Sequence, residues 1–495
     1  MQMPSGLGTI HIIGVGGIGM SAIAEILNAQ GFTVQGSDQK ESANVRRLRE
    51  KGIRVFVGHN GINLVGAKFV VISTAVKDNN PELQAAREKG LPIIRRSEML
   101  AELMRLYATI SVTGTHGKTT TTSLTAHVLE SASADPTVIT GGIINSWGSN
   151  ARLGQGRWMI VEADESDGTF VKIPSQIGVV TNIDPEHLDF FGSVQHMHAA
   201  YEQFFKNIPF YGLTVACIDH PVVRQMIDRL NLRRDGRRMV TYGRSTDADI
   251  VLEDVRIDGL TTTFSARIKS GLLGPERKIE NWSVPLPGEH VALNALAAFA
   301  VAAEAELTDD QIRDGMATFS GVKRRFQKTG DVNGVGLFDD YGHHPIEIAA
   351  VLRAAREGAK GRLFAVVEPH RYSRVKSLFN DFCGCVKDAD GIIVAPLYSA
   401  GEAPIETIDH HALARGMTAQ GSELVLVADA PSDIAPLLAR VTEPGDTVIF
   451  FGAGHSTDWA HAMPTLLAEE LGVPALTGPS AGPEAALKPA ETPAA

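Results

Sequence analysis

The sequence predicts an α/β protein built of three domains. Short apolar runs alternate with amphipathic helical patterns along most of the chain, which is the pattern of α/β layering. The length of 495 residues corresponds to about three domains, since one domain usually takes ~100–200 residues. Two glycine-rich turns, each between a predicted strand and a predicted helix, indicate that two of these domains bind phosphate groups.

The first predicted domain covers residues 1–106 and begins with a strand, a glycine turn and a helix. Its predicted elements are strands 10–13, 32–35, 69–73 and 92–95 and helices 20–29 and 97–107.

The second predicted domain covers residues 107–322 and begins with a second strand–loop–helix unit. Its predicted elements are strands 109–113, 158–162, 177–182 and 213–218, antiparallel strands between 249 and 279, and helices 120–131, 292–306 and 309–319.

The third predicted domain covers residues 323–473 and follows a predicted hinge at 321–325. Its predicted strands, each followed by a helix, are 336–339, 363–367, 391–395, 424–428 and 447–451. Residues 474–495 are rich in Pro, Ala and Gly, have little to bury, and predict a disordered tail.

Composition excludes several classes of protein. A net charge of −11 argues against a nucleic-acid partner held by phosphate contacts. No apolar run approaches the ~18–20 residues that span a bilayer, and Met1–Gly8 lacks the features of a signal peptide. Three cysteines cannot form a disulfide framework. These observations predict a cytoplasmic protein.

The first glycine-rich turn, Gly14–Gly19, matches the G-x-G-x-x-G pattern. Its glycines let the backbone approach a pyrophosphate, whose charge then lies at the helix N-terminus. Asp38 ends the second predicted strand, 19 residues after Gly19, at the position of a ribose-binding carboxylate. Taken alone, this turn favours NAD; the alternatives are a UDP-sugar and a turn without a ligand.

The second turn, Gly114–Thr120, has the sequence G-T-H-G-K-T-T and the strand–loop–helix setting of a P-loop. Its backbone N–H groups are expected to surround phosphates, and Lys118 is expected to reach the β- and γ-phosphates. The hydroxyl of Thr119 is expected to bind Mg²⁺. The first spacer is shorter than in the common P-loop pattern, which would need glycine at Val112.

This short form, G-T-x-G-K-[ST], is the form found in Mur ligases and folylpolyglutamate synthases. Six further motifs occur in the order in which Mur ligases carry them: Glu162–Asp167, Asn182–Asp189, Leu286–Asn294, Arg324–Phe326, Asp339–Pro345 and Glu368–Arg374. From Ile10 to about Gly472 the chain therefore resembles a Mur ligase. The resemblance implies a Rossmann-like UDP-binding domain, a central P-loop ATPase-like α/β domain and a Rossmann-like C-terminal domain.

The resemblance also implies an amide-bond ligase that uses ATP and Mg²⁺. Such an enzyme activates a carboxylate by phosphorylation, and because both reacting groups are anionic, the site needs cations. The implied catalytic residues are Lys118, Glu162, His187, Arg325, Asp340 and His344. The implied ATP-binding residues are Gly114, Thr115, His116, Gly117, Lys118, Thr119, Thr120, His290, Asn294 and Arg325. The implied Mg²⁺ ligands are Thr119, Glu162 and His187, with Glu165 as an alternative ligand.

The implied binding residues for a UDP-sugar and an amino acid lie in the first and third domains. They are Gly14, Gly16, Gly17, Ile18, Gly19, Ser37, Asp38, Tyr341, His343, His370, Arg371 and Arg374. The position after His290, commonly asparagine in this family, is Val291 here.

Four sequence features discriminate within the family. Gly36-Ser37-Asp38 and the first glycine turn resemble the member that joins L-alanine to UDP-N-acetylmuramate. Ser166 and Tyr341-Gly342 favour that member over the murein-tripeptide-recycling ligase. A NAD-dependent dehydrogenase is a distant alternative that leaves the motifs between 114 and 374 unexplained. A monomer or a homodimer is expected.

Overall fold

The computed structural model describes residues 8–73, 75–166, 168–359 and 361–477. They form two compact units. The first holds residues up to 322 except two short segments, and the second holds residues from 323 together with those segments, 257–260 and 286–288. The α/β fold class is confirmed, whereas the three predicted domain boundaries stay a prediction.

In the described part of residues 8–106, five parallel strands form one sheet in the order β3-β2-β1-β4-β5. The strands are β1 (Thr9–Ile13), β2 (Val34–Asp38), β3 (Arg54–Val57), β4 (Ala67–Ile72) and β5 (Ile93–Arg95). The helices are α1 (Ile18–Ala29), α2 (Ala43–Glu50), α3 (Pro81–Glu88) and α4 (Arg96–Met104). Because parallel strands are covered on both faces, β1 is almost entirely buried, and three of its five residues are isoleucines.

The second sheet has ten strands within the described residues, in the order β15-β14-β13-β12-β11-β10-β6-β9-β7-β8. Its strands are β6 (Ala108–Thr113), β7 (Thr137–Ile144), β8 (Ser149–Arg152), β9 (Trp158–Glu162), β10 (Ile177–Val180), β11 (Leu213–Cys217), β12 (Arg238–Gly243), β13 (Ile250–Asp258), β14 (Thr261–Ile268) and β15 (Arg277–Val284). Its helices are α5 (Lys118–Ser131), α6 (Leu188–Phe191), α7 (Val194–Asn207), α8 (Pro221–Leu230), α9 (Glu289–Glu304) and α10 (Asp309–Ala317).

The third sheet, in the second unit, has seven strands among the residues described there, in the order β20-β19-β18-β21-β17-β16-β22. Its strands are β16 (Gln327–Val332), β17 (Val335–Asp340), β18 (Leu363–Val367), β19 (Gly391–Val394), β20 (Val425–Val427), β21 (Thr447–Phe451) and β22 (Ala475–Thr477). Its helices are α11 (Pro345–Gly358), α12 (Tyr372–Ser377), α13 (Phe379–Gly384), α14 (His410–Ala419), α15 (Ile434–Val441) and α16 (Ser456–Leu471).

Several regions differ from the sequence-based expectation, which also lacked β3, β12 and β16. β7 and β8 were not predicted, because the two glycines of β7, Gly141 and Gly142, interrupt its apolar pattern. The predicted tail begins too early, since β22 pairs antiparallel with β16. The rest of that tail, 478–495, lies outside the described residues. In the described part of the chain, no helix is both long enough and apolar enough to cross a bilayer.

Candidate functional site

The P-loop connects β6 to α5 and requires glycine at two positions. Gly114 has φ 132°, and a Cβ atom there would overlap the hydroxyl of Thr181. Gly117 has φ 81°, and a Cβ atom there would lie 2.8 Å from Asn294 Oδ1. Asn294 of α9, a predicted ATP-binding residue, therefore packs directly against the loop.

Polar side chains after β10 hold the middle of this loop. The backbone N–H of His116 donates to Asn182 Oδ1 at 2.7 Å. The backbone oxygen of His116 accepts from Asn182 Nδ2 at 3.0 Å and from Thr181 Oγ1 at 2.7 Å. Thr115 exchanges hydrogen bonds with the backbone of Asp184, at 2.8 and 3.2 Å. The neighbouring parallel strands β6 and β10 bring these segments to one edge of the sheet.

Lys118, at the start of α5, lies folded back over the loop. Its Nζ donates to the backbone oxygens of Gly114 (2.6 Å) and Thr115 (3.0 Å) and to Glu165 Oε1 (2.8 Å). Burial lowers the pKa of Lys118, but the carboxylates led by Glu165 outweigh burial and raise the pKa above its usual value. The lysine is therefore a cation.

Glu165 is the least exposed carboxylate near the loop, with 2% of its side chain accessible. Burial raises the pKa of its carboxyl to about 7, although the Lys118 ammonium lowers it. Its second oxygen, Oε2, is buried and has no hydrogen-bond partner. Such an unsatisfied oxygen is costly, so it favours a further ligand beside it.

Glu162 is the last residue of β9, and its carboxylate contacts Thr119, the second residue of α5. Its Oε1 lies 3.0 Å from Thr119 Oγ1, and its Oε2 accepts from Thr140 Oγ1 at 3.0 Å and from Gly141 N at 2.6 Å. Gly141 must be glycine for this approach, because a Cβ atom there would lie 2.7 Å from the Glu162 carboxylate. The sequence reasoning missed Thr140 and Gly141, because it missed β7.

The predicted metal ligands fall into two adjacent groups. Thr119 and Glu162 form one, and ligand atoms of Glu165, Glu186 and His187 lie within 4.8 Å of one another in the other. His187 Nε2 is 3.9 Å from Glu165 Oε1. The oxygen atoms of both groups suit Mg²⁺, whereas the imidazole is a ligand that Mg²⁺ rarely takes. Asp167 of the same motif lies outside the described residues.

The remaining predicted ATP-binding residues are distributed along α5 and α9. Thr120 lies on the first turn of α5 and is partly buried. His290 lies exposed at the start of α9, one residue before Val291. The Val291 side chain is 3% exposed and belongs to the apolar core.

The first glycine turn leads from β1 into α1. Gly16 N donates to Asp38 Oδ2 at 2.9 Å, and a Cβ atom at Gly16 would lie 2.8 Å from the same oxygen. Gly17 is the N-cap of α1, and Ile18, the first residue of that helix, is half exposed. A Cβ atom at Gly19 would lie 3.0 Å from an Arg96 side-chain nitrogen. Asp38 therefore supports the turn, and its contact with a ribose stays a prediction.

Ser37, a predicted substrate-binding residue, lies near the end of β2 with its side chain turned away from the solvent. It is fully buried, its hydroxyl donates to Glu82, and it lies 3.0 Å from His59 Nδ1. Only its backbone faces the turn: its carbonyl oxygen accepts from Gly14 N at 2.8 Å and from Val15 N at 2.9 Å. Ser37 thus stabilises the glycine turn through these two backbone hydrogen bonds.

In the second unit, Asp340 ends β17 and organises the segment that precedes β16. Its carboxylate accepts from Phe326 N at 2.8 Å and from Gly342 N at 2.7 Å. Burial raises the pKa of Asp340 to about 6, although Arg325 lowers it. The Arg325 guanidinium lies 5.4 Å from the centre of the Tyr341 ring.

Aromatic and histidine rings line the carboxyl ends of β17, β18 and β19. Ring centroids lie 5.1 Å apart for Tyr341 and His343, 5.5 Å for His343 and His370, and 5.3 Å for His370 and Tyr398. Burial, followed by His343 and two arginines, lowers the pKa of His370 to about 4. His370 is therefore neutral at physiological pH.

The other predicted residues of this unit flank the rings. Arg371 caps α12 with φ 68°, and its N–H donates to Tyr398 O at 2.8 Å. Arg374 lies on the same helix. His344 caps α11, where its Nδ1 accepts from Ile346 N at 3.3 Å. The described structure thus brings the predicted residues of this unit to one edge of its sheet.

Three family profiles match successive parts of the chain. They are described as "Mur ligase family, catalytic domain" (residues 9–108), "Mur ligase middle domain" (112–302) and "Mur ligase, glutamate ligase domain" (324–454).

Similar proteins agree with these profiles. The UDP-N-acetylmuramate–L-alanine ligase of Brucella anthropi is 54% identical over 95% of this chain and 99% of its own length. Among solved structures, the UDP-N-acetylmuramate-alanine ligase MurC of Thermotoga maritima has a TM-score of 0.77 at 26% identity, covering 92% of this chain and 98% of that one. A murein peptide ligase of Psychrobacter arcticus shares the fold, with a TM-score of 0.66 at 23% identity over 93% and 98%. On these matches and the geometry of its phosphate loops, the chain belongs to the Mur ligase family.

Proposed function

We propose that this protein joins L-alanine to the carboxylate of UDP-N-acetylmuramate, with ATP as the energy source. The products are UDP-N-acetylmuramoyl-L-alanine, ADP and phosphate, and the reaction is a step of peptidoglycan synthesis. The observation that carries this conclusion is the 54% identity to L-alanine ligases along nearly their whole length. Identity at that level over nearly the whole chain supports the same activity.

The P-loop supplies the groups that phosphoryl transfer requires. The backbone of Gly114–Gly117 and the start of α5 form an anion site, and Lys118 adds a buried positive charge there. The muramate carboxylate would attack the γ-phosphorus of ATP, and ADP would leave with the bridging oxygen.

Mg²⁺ fits the carboxylates beside the loop. Thr119 and Glu162 would hold one ion, and Glu165 with His187 offers a neighbouring position whose buried, unsatisfied Oε2 needs a partner. When bound, the ion neutralises phosphate charge. The chain's own part is to fix these oxygens: Thr140 and Gly141 hold Glu162, and Lys118 holds Glu165.

The amine of L-alanine would then attack the acyl carbon of the muramoyl phosphate, lose a proton, and expel phosphate. We assign the amino acid to the second unit, where Arg371 and Arg374 offer positive charge for its carboxylate. The neutral His370 and the neighbouring Tyr341 and His343 rings offer polar groups beside these arginines. Asp340 and His344 position this edge rather than react.

The N-terminal turn is assigned to the UDP part of the substrate. A UDP-sugar needs a pyrophosphate site at a helix N-terminus, and Gly17 at the start of α1 offers one. ATP occupies the other loop, so two phosphate loops are explained by two nucleotides. The protein is proposed to act in the cytoplasm as a monomer or homodimer, without nucleic-acid or membrane partners.

A direct assay separates this function from the tripeptide-recycling activity. The purified protein is incubated with ATP, Mg²⁺ and UDP-N-acetylmuramate, and phosphate release is measured with each amino acid and with murein tripeptide. Release with L-alanine and a product heavier by one alanine residue support the proposal. Phosphate release with murein tripeptide but not with L-alanine would instead assign the tripeptide-recycling activity to this protein.

A further inference from the structure

His116, the histidine of the P-loop, is contacted by Asp184, and Asp184 is in turn contacted by His220. Neither Asp184 nor His220 is part of the P-loop motif. His116 Nε2 lies 3.4 Å from Asp184 Oδ2, and His220 Nε2 lies 3.2 Å from Asp184 Oδ1. Each carboxylate oxygen of Asp184 thus faces one imidazole. The three side chains are only 15%, 23% and 17% exposed, in the order His116, Asp184 and His220.

We propose that His220, acting through Asp184, is a positioning residue that fixes the ring of His116 and so preorganises the P-loop for ATP. This inference rests on the proposed ATP-dependent function. His220 caps α8 at its N-terminus, 36 residues from Asp184 in the sequence, and belongs to none of the motifs that identify the family.

The charge of Asp184 supports this role. Burial raises the pKa of its carboxyl, but hydrogen bonds from His116 and His220 outweigh burial and hold the pKa well below its usual range. Asp184 is therefore a carboxylate that is hydrogen-bonded to the His220 ring at 3.2 Å and lies within ion-pair distance of the His116 ring, at 3.4 Å. Hydrogen bonds to a charged group in a partly buried place are among the stronger ones in proteins.

The contact with Asp184 adds to other contacts that hold His116 in the P-loop. Asn182 and Thr181 hold the backbone of His116, Asp184 holds its side chain, and the Asp184 backbone is bonded to Thr115. A loop fixed before binding loses less conformational freedom when phosphates bind. Removing His220 is therefore expected to weaken ATP binding, whereas removing Lys118 removes charge from the reacting phosphate.

The test compares two substitutions of His220 by titrating the full-length protein with ATP. His220→Leu removes the donor to Asp184, and His220→Gln keeps an N–H group at a similar reach. We expect the Kd for ATP to rise about tenfold in His220→Leu, since a charge-assisted hydrogen bond is lost, and to recover largely in His220→Gln. The turnover number at saturating ATP should stay within about twofold of wild type.

A double substitution gives a second, independent readout. If His220 acts through Asp184, adding His220→Leu to Asp184→Asn should not weaken ATP binding beyond what the stronger single change causes. His196→Leu, on the exposed face of α7, is the control and should bind ATP as wild type does. Unchanged ATP affinity in His220→Leu, or additive losses in the double variant, would overturn the proposal.

The outcomes distinguish this inference from the proposed function. If the wild-type protein ligates L-alanine and His220→Leu binds ATP as tightly as wild type, only the positioning role of His220 is contradicted. If the wild-type protein binds ATP more tightly than His220→Leu does but ligates no L-alanine, only the proposed function is contradicted. If His220→Leu does not fold, His220→Gln and Asp184→Asn still report on the same contacts.

Discussion

Lys118 and Glu165 form a buried ion pair in which Nζ lies 2.8 Å from Oε1, with 14% and 2% of their side chains exposed. The same nitrogen donates to two carbonyl oxygens of the loop, so the lysine is held against the loop backbone. The pair keeps a cation available in a site that otherwise carries several carboxylates.

Replacing Lys118 by Ala is expected to abolish ligation while the fold persists. The loss should reach ~3 kcal/mol or more of transition-state stabilisation, by comparison with other lost donors at developing charge. The rate of phosphate release measures this effect, and circular dichroism checks the fold. Lys206→Ala, which removes an exposed lysine, is the control. Retention of more than about a tenth of wild-type activity in Lys118→Ala would disagree with this role.

Gly141→Ala is expected to reduce ligation strongly with little loss of stability. The new Cβ atom would lie 2.7 Å from the Glu162 carboxylate and displace it from Thr119. We expect about a tenfold to hundredfold fall in kcat/KM, because small misplacements of catalytic groups are costly. Gly271→Ala is the matched control, since nothing lies within 4 Å of its Cβ position. Equal activities of the two variants would exclude a role for the Gly141 contact.

The N-terminal turn is expected to bind UDP-sugars and not NADH. Gly16→Ala would place a Cβ atom 2.8 Å from Asp38 Oδ2 and break the 2.9 Å hydrogen bond between them. Calorimetry should show weaker binding of UDP-N-acetylmuramate in this variant and unchanged binding in Lys118→Ala. Tight NADH binding without UDP-sugar binding would reverse the assignment.

Asp339, buried at the end of β17, is expected to make stability depend on pH. Burial raises the pKa of its carboxyl from 3.8 to about 7, so the folded protein holds a proton that the unfolded chain releases earlier. The free energy of unfolding therefore contains a contribution that is fully present below pH 3.8 and is lost as pH rises to about 7.

Asp339→Asn removes this dependence and keeps an oxygen for the Thr457 hydroxyl, 3.2 Å away. At pH 8 the variant should be more stable than wild type by about 2 kcal/mol, and the difference should vanish near pH 4. Denaturant unfolding at both pH values measures it. Asp310→Asn, at an exposed site, should show no such difference. A variant less stable than wild type at pH 8 would contradict the raised pKa.

Local sequence patterns were sufficient to locate a strand and the candidate site residue that follows or ends it, wherever both lie in one short segment. The P-loop after β6 and Glu162 at the end of β9 are such cases, because alternation and glycine spacing are readable within about ten residues. The α/β class followed from the same patterns. The precise domain boundaries and the roles of the site residues stay predictions.

Contacts between distant segments were not readable from the sequence. The support of His116 by Asp184 and His220 joins three segments that share no motif. The burial of Ser37 depends on Glu82 from α3, and the glycines of β7 concealed the strand that holds Glu162. Such relationships arise from tertiary packing, for which a single sequence has no local pattern.

The most direct test of the ligase assignment uses UDP-N-acetylmuramate with ¹⁸O in its carboxylate, together with ATP, Mg²⁺ and L-alanine. If the carboxylate attacks the γ-phosphate and the amine then expels phosphate, one ¹⁸O atom appears in the released phosphate. Mass spectrometry should then find UDP-N-acetylmuramoyl-L-alanine that keeps the other ¹⁸O atom. Unlabelled phosphate alongside product would contradict the acyl-phosphate route, and the absence of the alanyl product would contradict the assignment itself.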